Sequence, residues 1–208
     1  MMGRLSRRYV MVMAGAFLLP VRASMSAEPA EDIRAPFGLT WGMSSDEVRK
    51  LGVQLTSVAG RAEFGVSFAA ADLQKVLSDT ESVVLSFGFK DKLWRIAAVG
   101  TSKGPDPSGG QALARYQDLA ASLSDRYGRG NETDLRDHEV WKGPNEYVMS
   151  IKQGRAFRYT TFRTSTVDVE LSVRAAESDQ AYYLMLFAYR SGAKEFEADK
   201  KLHEKDAL

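Results

Sequence analysis

No cysteine occurs in the 208 residues. Without it no disulfide can staple the fold, no thiolate can enter a zinc site, and no lipid can be attached through a cysteine. Stability must come from a packed core, which a mature chain of about 180 residues is long enough to bury. Histidine is nearly as scarce: His138 lies in Arg136-Asp137-His138-Glu139 and His203 near the C-terminus. Neither has a second histidine at ligand spacing. Apolar runs are short, and none approaches the roughly 20 residues that cross a bilayer as a helix. Also missing are a Gly-x-Ser-x-Gly elbow, a phosphate loop and a dinucleotide fingerprint. The expectation is a non-enzymatic chain with no cofactor, no metal and no membrane span in its mature form.

The N-terminal stretch is the most specific feature present. Arg4, Arg7 and Arg8 precede an apolar run over 9–19, Pro20 breaks it, and small residues follow at Ala23, Ser24, Ser26 and Ala27. That order predicts a cleaved export signal over 1–27, cut after Ala23 or Ala27, and a periplasmic location. Ser6-Arg7-Arg8 resembles the twin-arginine export motif, and Arg22 suits that route; an ordinary secretory signal with adjacent arginines is the alternative. The whole chain carries a net charge of +1. Removing 1–27 takes four arginines and no acids, which leaves 24 basic and 27 acidic residues, net −3. Such a balance argues against binding nucleic acid through bulk charge.

Periodicity then outlines the elements. Residues 28–34 read as a leader, after which Phe37, Leu39 and Trp41 alternate as on a short strand. Ser44 and Glu47 have capping-box spacing, Met43 and Val48 suit a hydrophobic staple, and Gly52 suits a left-handed stop, predicting a helix over 45–51. Phe64, Val66 and Phe68 suggest a strand, with a helical turn or two over 69–77. Val83, Leu85, Phe87 and Phe89 alternate up to Lys90-Asp91-Lys92, and 93–99 completes a hairpin. The breaker cluster Gly104-Pro-Asp-Pro-Ser-Gly-Gly110 marks a boundary between two halves. Beyond it, Ser108 and Gln111 have capping-box spacing. Leu113, Tyr116, Ala120, Leu123 and Tyr127 recur at helical intervals, and Gly128 ends the helix.

The polar stretch 129–138 reads as a loop, and Tyr147, Met149 and Ile151 as an alternating strand. A less regular strand covers 157–163. Val167, Val169, Leu171 and Val173 alternate with Asp168, Glu170 and Ser172, so that strand has one wet face. Residues 182–189 are apolar on both sides and predict a central strand. The charge-rich 193–208 is an exposed terminal helix or a frayed tail. The expected fold class is α+β, an antiparallel sheet with two main helices, in one or two similar packed lobes. The divisions are an export signal over 1–27, α+β lobes over 28–104 and 105–192, and the terminal segment 193–208.

Candidate functional residues are few. The tract Lys152, Arg155, Phe157, Arg158, Tyr159, Phe162, Arg163 reads as a half-buried strand or a patch for an anionic partner. Trp41 and Trp94 fall within apolar alternation and suit the core, whereas Trp141 stands beside the Gly143-Pro144-Asn145 turn and suits the surface. Trp141, Arg155, Arg158 and Arg163 are therefore the expected surface for another envelope protein. Asp168 and Glu170 share a strand face as a glycosidase pair would, or as solvated surface does. The oxygen donors of 131–137 lack the central glycine and terminal glutamate of a calcium loop. Two other classes stay open: a small-ligand carrier with an aromatic-lined pocket between sheet and helices, and a hydrolase built on Asp and Glu alone.

Phe37-Gly-Leu-Thr-Trp-Gly-Met-Ser-Ser-Asp-Glu-Val resembles the opening of small exported bacterial proteins of unknown function. Those continue with a Phe-rich strand, a helix closing in Tyr-Gly and a Trp-containing strand, matched here by 83–89, Tyr127-Gly128 and Glu139-Val140-Trp141. More distantly, Gly42-Met-Ser with Glu47-Val48 and Leu51-Gly52 resembles the helix signature of small lipoproteins of outer-membrane assembly, without their lipidated cysteine. These resemblances imply an envelope location and an α+β fold.

Overall fold

Residues 33–58, 64–102, 104–136, 143–177 and 179–206 are described by the computed structural model. Eight strands form one antiparallel sheet: β1 (Gln54–Ser57), β2 (Val66–Ala71), β3 (Thr80–Phe87), β4 (Leu93–Gly100), β5 (Asn131–Arg136), β6 (Ala156–Arg163), β7 (Val167–Ala175) and β8 (Ala181–Tyr189). Their order across the sheet is β1-β2-β3-β4-β8-β7-β6-β5. The helices are α1 (Ser45–Lys50), α2 (Gly110–Tyr127), α3 (Tyr147–Lys152) and α4 (Arg190–Asp206). Each half of the chain thus runs a helix and then four strands paired in chain order, with α3 inserted between β5 and β6 in the second. The final strands of the two halves, β4 and β8, pair at the centre. Among the described residues no helix is long and apolar enough to cross a membrane.

Register explains why one face is covered. Directly opposed residues project to the same side of a sheet. Phe68, Leu85, Ile96, Phe187, Val169 and Phe162 follow one another across six strands in a single row. The next row is Ala70, Val83, Ala98, Met185, Leu171 and Thr160. α2 packs on this face against β6, β7 and β8, and α3 against β6 and β7. On α2 the buried residues are Ala112, Tyr116, Leu119 and Leu123, with Leu113, Ala120 and Tyr127 half-buried at the margins. Burying one such large apolar side chain contributes about 1.5–3 kcal/mol. The opposite face carries Ala69, Val84, Ala97, Leu186, Glu170 and Thr161 in one row, and Ser67, Ser86, Arg95, Ala188, Asp168 and Arg163 in the next. The outward projection of Asp168 and Glu170 matches the alternation of their strand.

Local chemistry sets the ends. The Glu47 N–H donates to Ser44 Oγ (3.2 Å) and the Ser44 N–H donates to Glu47 Oε2 (2.8 Å), so the first capping box closes. The second does not. Gly109 caps α2 in a left-handed conformation, and the Gln111 N–H donates instead to Asp106 Oδ2 at 2.8 Å. α4 begins directly from β8, and its one buried residue, Phe196, stacks on Trp94 and Phe89.

Four segments differ from the periodicity reading. Residues 36–38 form a 3-10 turn rather than a strand, because Phe37 (φ 62°) and Gly38 (φ 82°) are both left-handed and the Leu39 N–H turns back to the Pro36 carbonyl. Residues 69–71 stay extended, paired with β1 throughout and with β3 at Ala69 and Ala70. The polar stretch after α2 forms edge strand β5, where Glu132 and Asp134 meet Arg158 of β6. Residues 147–152 are helical: Tyr147, Val148 and Ser150 are buried and Ile151 half-buried, and Ser150 Oγ donates to the Glu146 carbonyl at 2.9 Å.

Candidate functional site

A half-open cleft of about 600 Å³ lies on the helix-covered face over the central strands. Its floor is Met185 and Phe187 of β8. One wall is α2, whose Leu119, Ser122, Leu123, Arg126 and Tyr127 stand at i, i+3, i+4, i+7 and i+8 and so share one face. The facing wall is the segment 34–40, and Lys75 and Leu77 of the β2–β3 connection close the side.

The 34–40 wall is a closed loop. Arg34 and Thr40 form a β-bridge, the Ala35 N–H donates to the Leu39 carbonyl at 3.0 Å, and the Trp41 N–H donates to the Ile33 carbonyl at 2.8 Å. Trp41 is buried and stacks on Tyr189 with ring centroids 5.8 Å apart, which roots the loop on the sheet. The tip puts the half-buried Phe37 ring edge-on against Phe187 at 6.2 Å. Tyr127 of α2 also approaches the Phe187 ring, at 6.3 Å and tilted by 50°. A bulky residue at φ 62° is strained by roughly 1–3 kcal/mol, a cost that persists where surroundings over-determine the backbone.

The cleft lining is apolar with a basic mouth. Among the described residues its charged members are Arg34, Lys75 and Arg126, and none is acidic. The Arg126 guanidinium lies 5.2 Å from the Tyr127 ring centre.

Polar clusters fix the scaffold around the cleft. Arg115 of α2 donates twice to Asp79, Nε to Oδ2 at 2.7 Å and Nη2 to Oδ1 at 2.9 Å. Hydrogen bonds from that guanidinium hold the Asp79 carboxyl below its usual range. The Tyr183 hydroxyl of β8 donates to the Asp79 backbone carbonyl at 3.2 Å, so helix, connection and sheet meet at one residue. The next residue of α2, Tyr116, bonds Thr160 of β6, and burial pushes its phenol up. Burial likewise raises the Tyr147 phenol to about 12.

Of the expected partner residues, Arg158 and Arg163 fall on opposite faces of the sheet. Trp141 and His138 lie outside the described residues. Arg155 is exposed just before β6. Arg158 is on the covered face, its mostly buried guanidinium 2.6 Å from Asp134 and paired also with Glu132. Arg163 is 81% exposed on the opposite face, 3.8 Å from Asp168. Asp168 also faces Arg190 at 3.7 Å, and Glu170 faces Arg174 at 3.4 Å. No group of His, Cys, Asp or Glu among the described residues could hold a metal.

Periodicity marked Leu123 and Tyr127 as core, but not the cleft they border. Lys75 and Leu77 carry no local signal, and the contribution of Phe37 depends on a left-handed turn that alternation cannot reveal. No family model, no curated protein and no solved structure matches the chain.

Proposed function

We propose that this is an exported, non-enzymatic binding protein of the bacterial envelope that carries a small, largely apolar ligand in the helix-side cleft. The observation that carries the reading is the cleft itself, about 600 Å³ lined by Phe37, Leu39, Leu119, Leu123, Tyr127 and Phe187. That volume falls within the range of small-molecule sites, which are concave and apolar with a few polar groups. The strained Phe37 adds support, because residues held off their preferred backbone cluster at ligand clamps. The order of charged, apolar and small residues over 1–27, as expected of an export signal, supports the location.

The test is a titration of the mature chain with the neutral fluorophore N-phenyl-1-naphthylamine. Saturable, single-site enhancement is expected, weakened by about tenfold or more in Ser122→Trp, since one blocked apolar contact surface of that size is worth at least 1.4 kcal/mol. Ser122 is exposed on the cleft wall, so the new ring fills the cleft without entering the core. Binding that never saturates, or that ignores Ser122→Trp, overturns the reading.

A second reading, a module for another envelope protein, is favoured by the opposite sheet face, which is half-exposed among the described residues. There Ala97, Leu184, Leu186 and Ala188 are half-exposed along the central strands, beside Arg163, Asp168 and Arg190. Capture of an envelope partner that Leu186→Asp abolishes and Ser122→Trp leaves intact would favour this reading over the first. In either case the symmetric strand order supports treating 28–104 and 105–192 as two similar α+β units.

A further inference from the structure

We infer that the ligand of this cleft is a single-chain amphiphile with an anionic head, its head held at the mouth by Lys75 and Arg126 and its apolar chain lying over Phe37, Met185 and Phe187. The inference rests on the carrier reading above and adds the chemical class of the ligand.

Charge carries the argument. The chain has 28 basic and 27 acidic residues, so a mouth of one sign is a local arrangement and not a reflection of composition. Several cations elsewhere sit on carboxylates, while others, such as Arg155 and Lys200, stand singly on the surface with no cleft beside them among the described residues. Lys90 and Lys92 reach Glu195, Lys90 also reaches Asp199, Lys152 reaches Glu177, and Arg158 lies between Glu132 and Asp134. Among the described residues neither Lys75 nor Arg126 has an ion-pair partner, and Arg34 adds a third positive charge at the same opening. Exposed cations beside a cleft cost little while water reaches them, and they discriminate strongly once a ligand's head takes that place. A carboxylate or phosphate head gains charge-assisted hydrogen bonds there, a neutral head gains only its own weaker ones, and a cationic head is repelled.

The apolar half has matching anatomy. Met185 and Phe187 come from a central strand of the sheet, and both Phe37 and Tyr127 bring their rings to Phe187. Met and aromatic side chains give a surface that follows a flexible hydrocarbon without polar groups to satisfy. The site is therefore apolar within and cationic at its mouth, complementary to a chain with an anionic end.

The experiment displaces bound N-phenyl-1-naphthylamine from the mature protein with dodecanoate, dodecyl phosphate, dodecanol and dodecyltrimethylammonium, each below its micelle concentration. Both anions should displace the fluorophore at concentrations about tenfold lower than dodecanol does, with the cation weakest. Whichever anion is the stronger identifies the head as carboxylate or phosphate. Raising salt from about 0.02 M to about 0.5 M should shrink the advantage of the anions severalfold, since their contact is at the solvent-exposed mouth. In Lys75→Gln combined with Arg126→Gln the anions and dodecanol should displace the fluorophore at equal concentrations, so that the ratio between them, and not either value alone, is the readout. Equal displacement by anion and alcohol in the native protein overturns the anionic head while the carrier reading stands. Failure of the fluorophore itself to bind overturns both. Sedimentation with phosphatidylglycerol vesicles without displacement by free dodecanoate would make the basic mouth a membrane contact, and also overturns the inference.

Discussion

Phe37 and Phe187 meet edge-on in the cleft, ring centroids 6.2 Å apart and ring planes at 88°. The contact couples the N-terminal loop to the central strand, and Phe37 makes it from a left-handed backbone. Removing the ring and relieving the backbone can be separated. Phe37→Ala loses the ring and keeps the strain; Phe37→Gly loses both. Phe37→Gly should therefore be more stable than Phe37→Ala by about 1 kcal/mol in urea unfolding, the reverse of the order expected at a right-handed position. Equal or reversed stabilities would show that the position carries no strain.

The Arg115–Asp79 pair predicts an acid-dependent loss of stability. Its carboxylate lies below the ordinary range in the folded state, chiefly through hydrogen bonds from Arg115. A depressed carboxylate contributes stability that is complete above the unfolded pKa of about 3.9 and is lost as pH falls through the lower folded value. Asp79→Asn should cost roughly 1–3 kcal/mol near neutral pH, and the gap to the native protein should narrow below about pH 4. A gap that is constant from neutral to acid pH would remove the pair from the account.

Two left-handed glycines provide a matched comparison. Gly65 (φ 80°) would place a Cβ 2.2 Å from the Phe87 carbonyl oxygen, whereas Gly52 (φ 87°) has nothing within 4 Å. Gly52→Ala should cost about 1 kcal/mol, from backbone conformation alone. Gly65→Ala must also displace strand backbone, and should cost more than about 2 kcal/mol by chemical denaturation. Similar losses at the two sites would contradict the close approach of the loop before β2 to β3.

Phe196 is the anchor of α4. It is buried between Trp94 at 4.9 Å and Phe89 at 5.3 Å, and Phe89 stacks in turn on His203 at 4.3 Å. Phe196→Ala should cost about 3–5 kcal/mol if the helix stays docked and the cavity remains open. A smaller loss accompanied by proteolytic cleavage within 190–206 would mean that the helix undocks instead. An unchanged protein in both assays would contradict the anchoring.

The elements with dense local signals were legible. Ser44 and Glu47 close the expected capping box, the 83–99 hairpin turns through Asp91, and the alternation from Val167 to Val173 gives a strand with one covered face. What escaped depends on tertiary partners. Glu132 and Asp134 look like loop residues until Arg158 on the neighbouring strand pairs with them. Tyr147, Met149 and Ile151 alternate, yet it is the adjacent pair Tyr147 and Val148 that packs beneath α2, around Gly109. The cleft escaped for the same reason. Its lining comes from four separate stretches, and no period within any one of them shows that they meet.

The central claim is that a ligand lies over Met185. The direct measurement labels the methionine methyl groups of the mature protein with ¹³C and follows them by NMR as dodecanoate is added. The account predicts that the Met185 methyl shifts saturably, that Met149 on α3 does not, and that Ser122→Trp abolishes the Met185 response. A Met185 methyl that stays fixed while dodecanoate binds, or that shifts equally in Ser122→Trp, would contradict it.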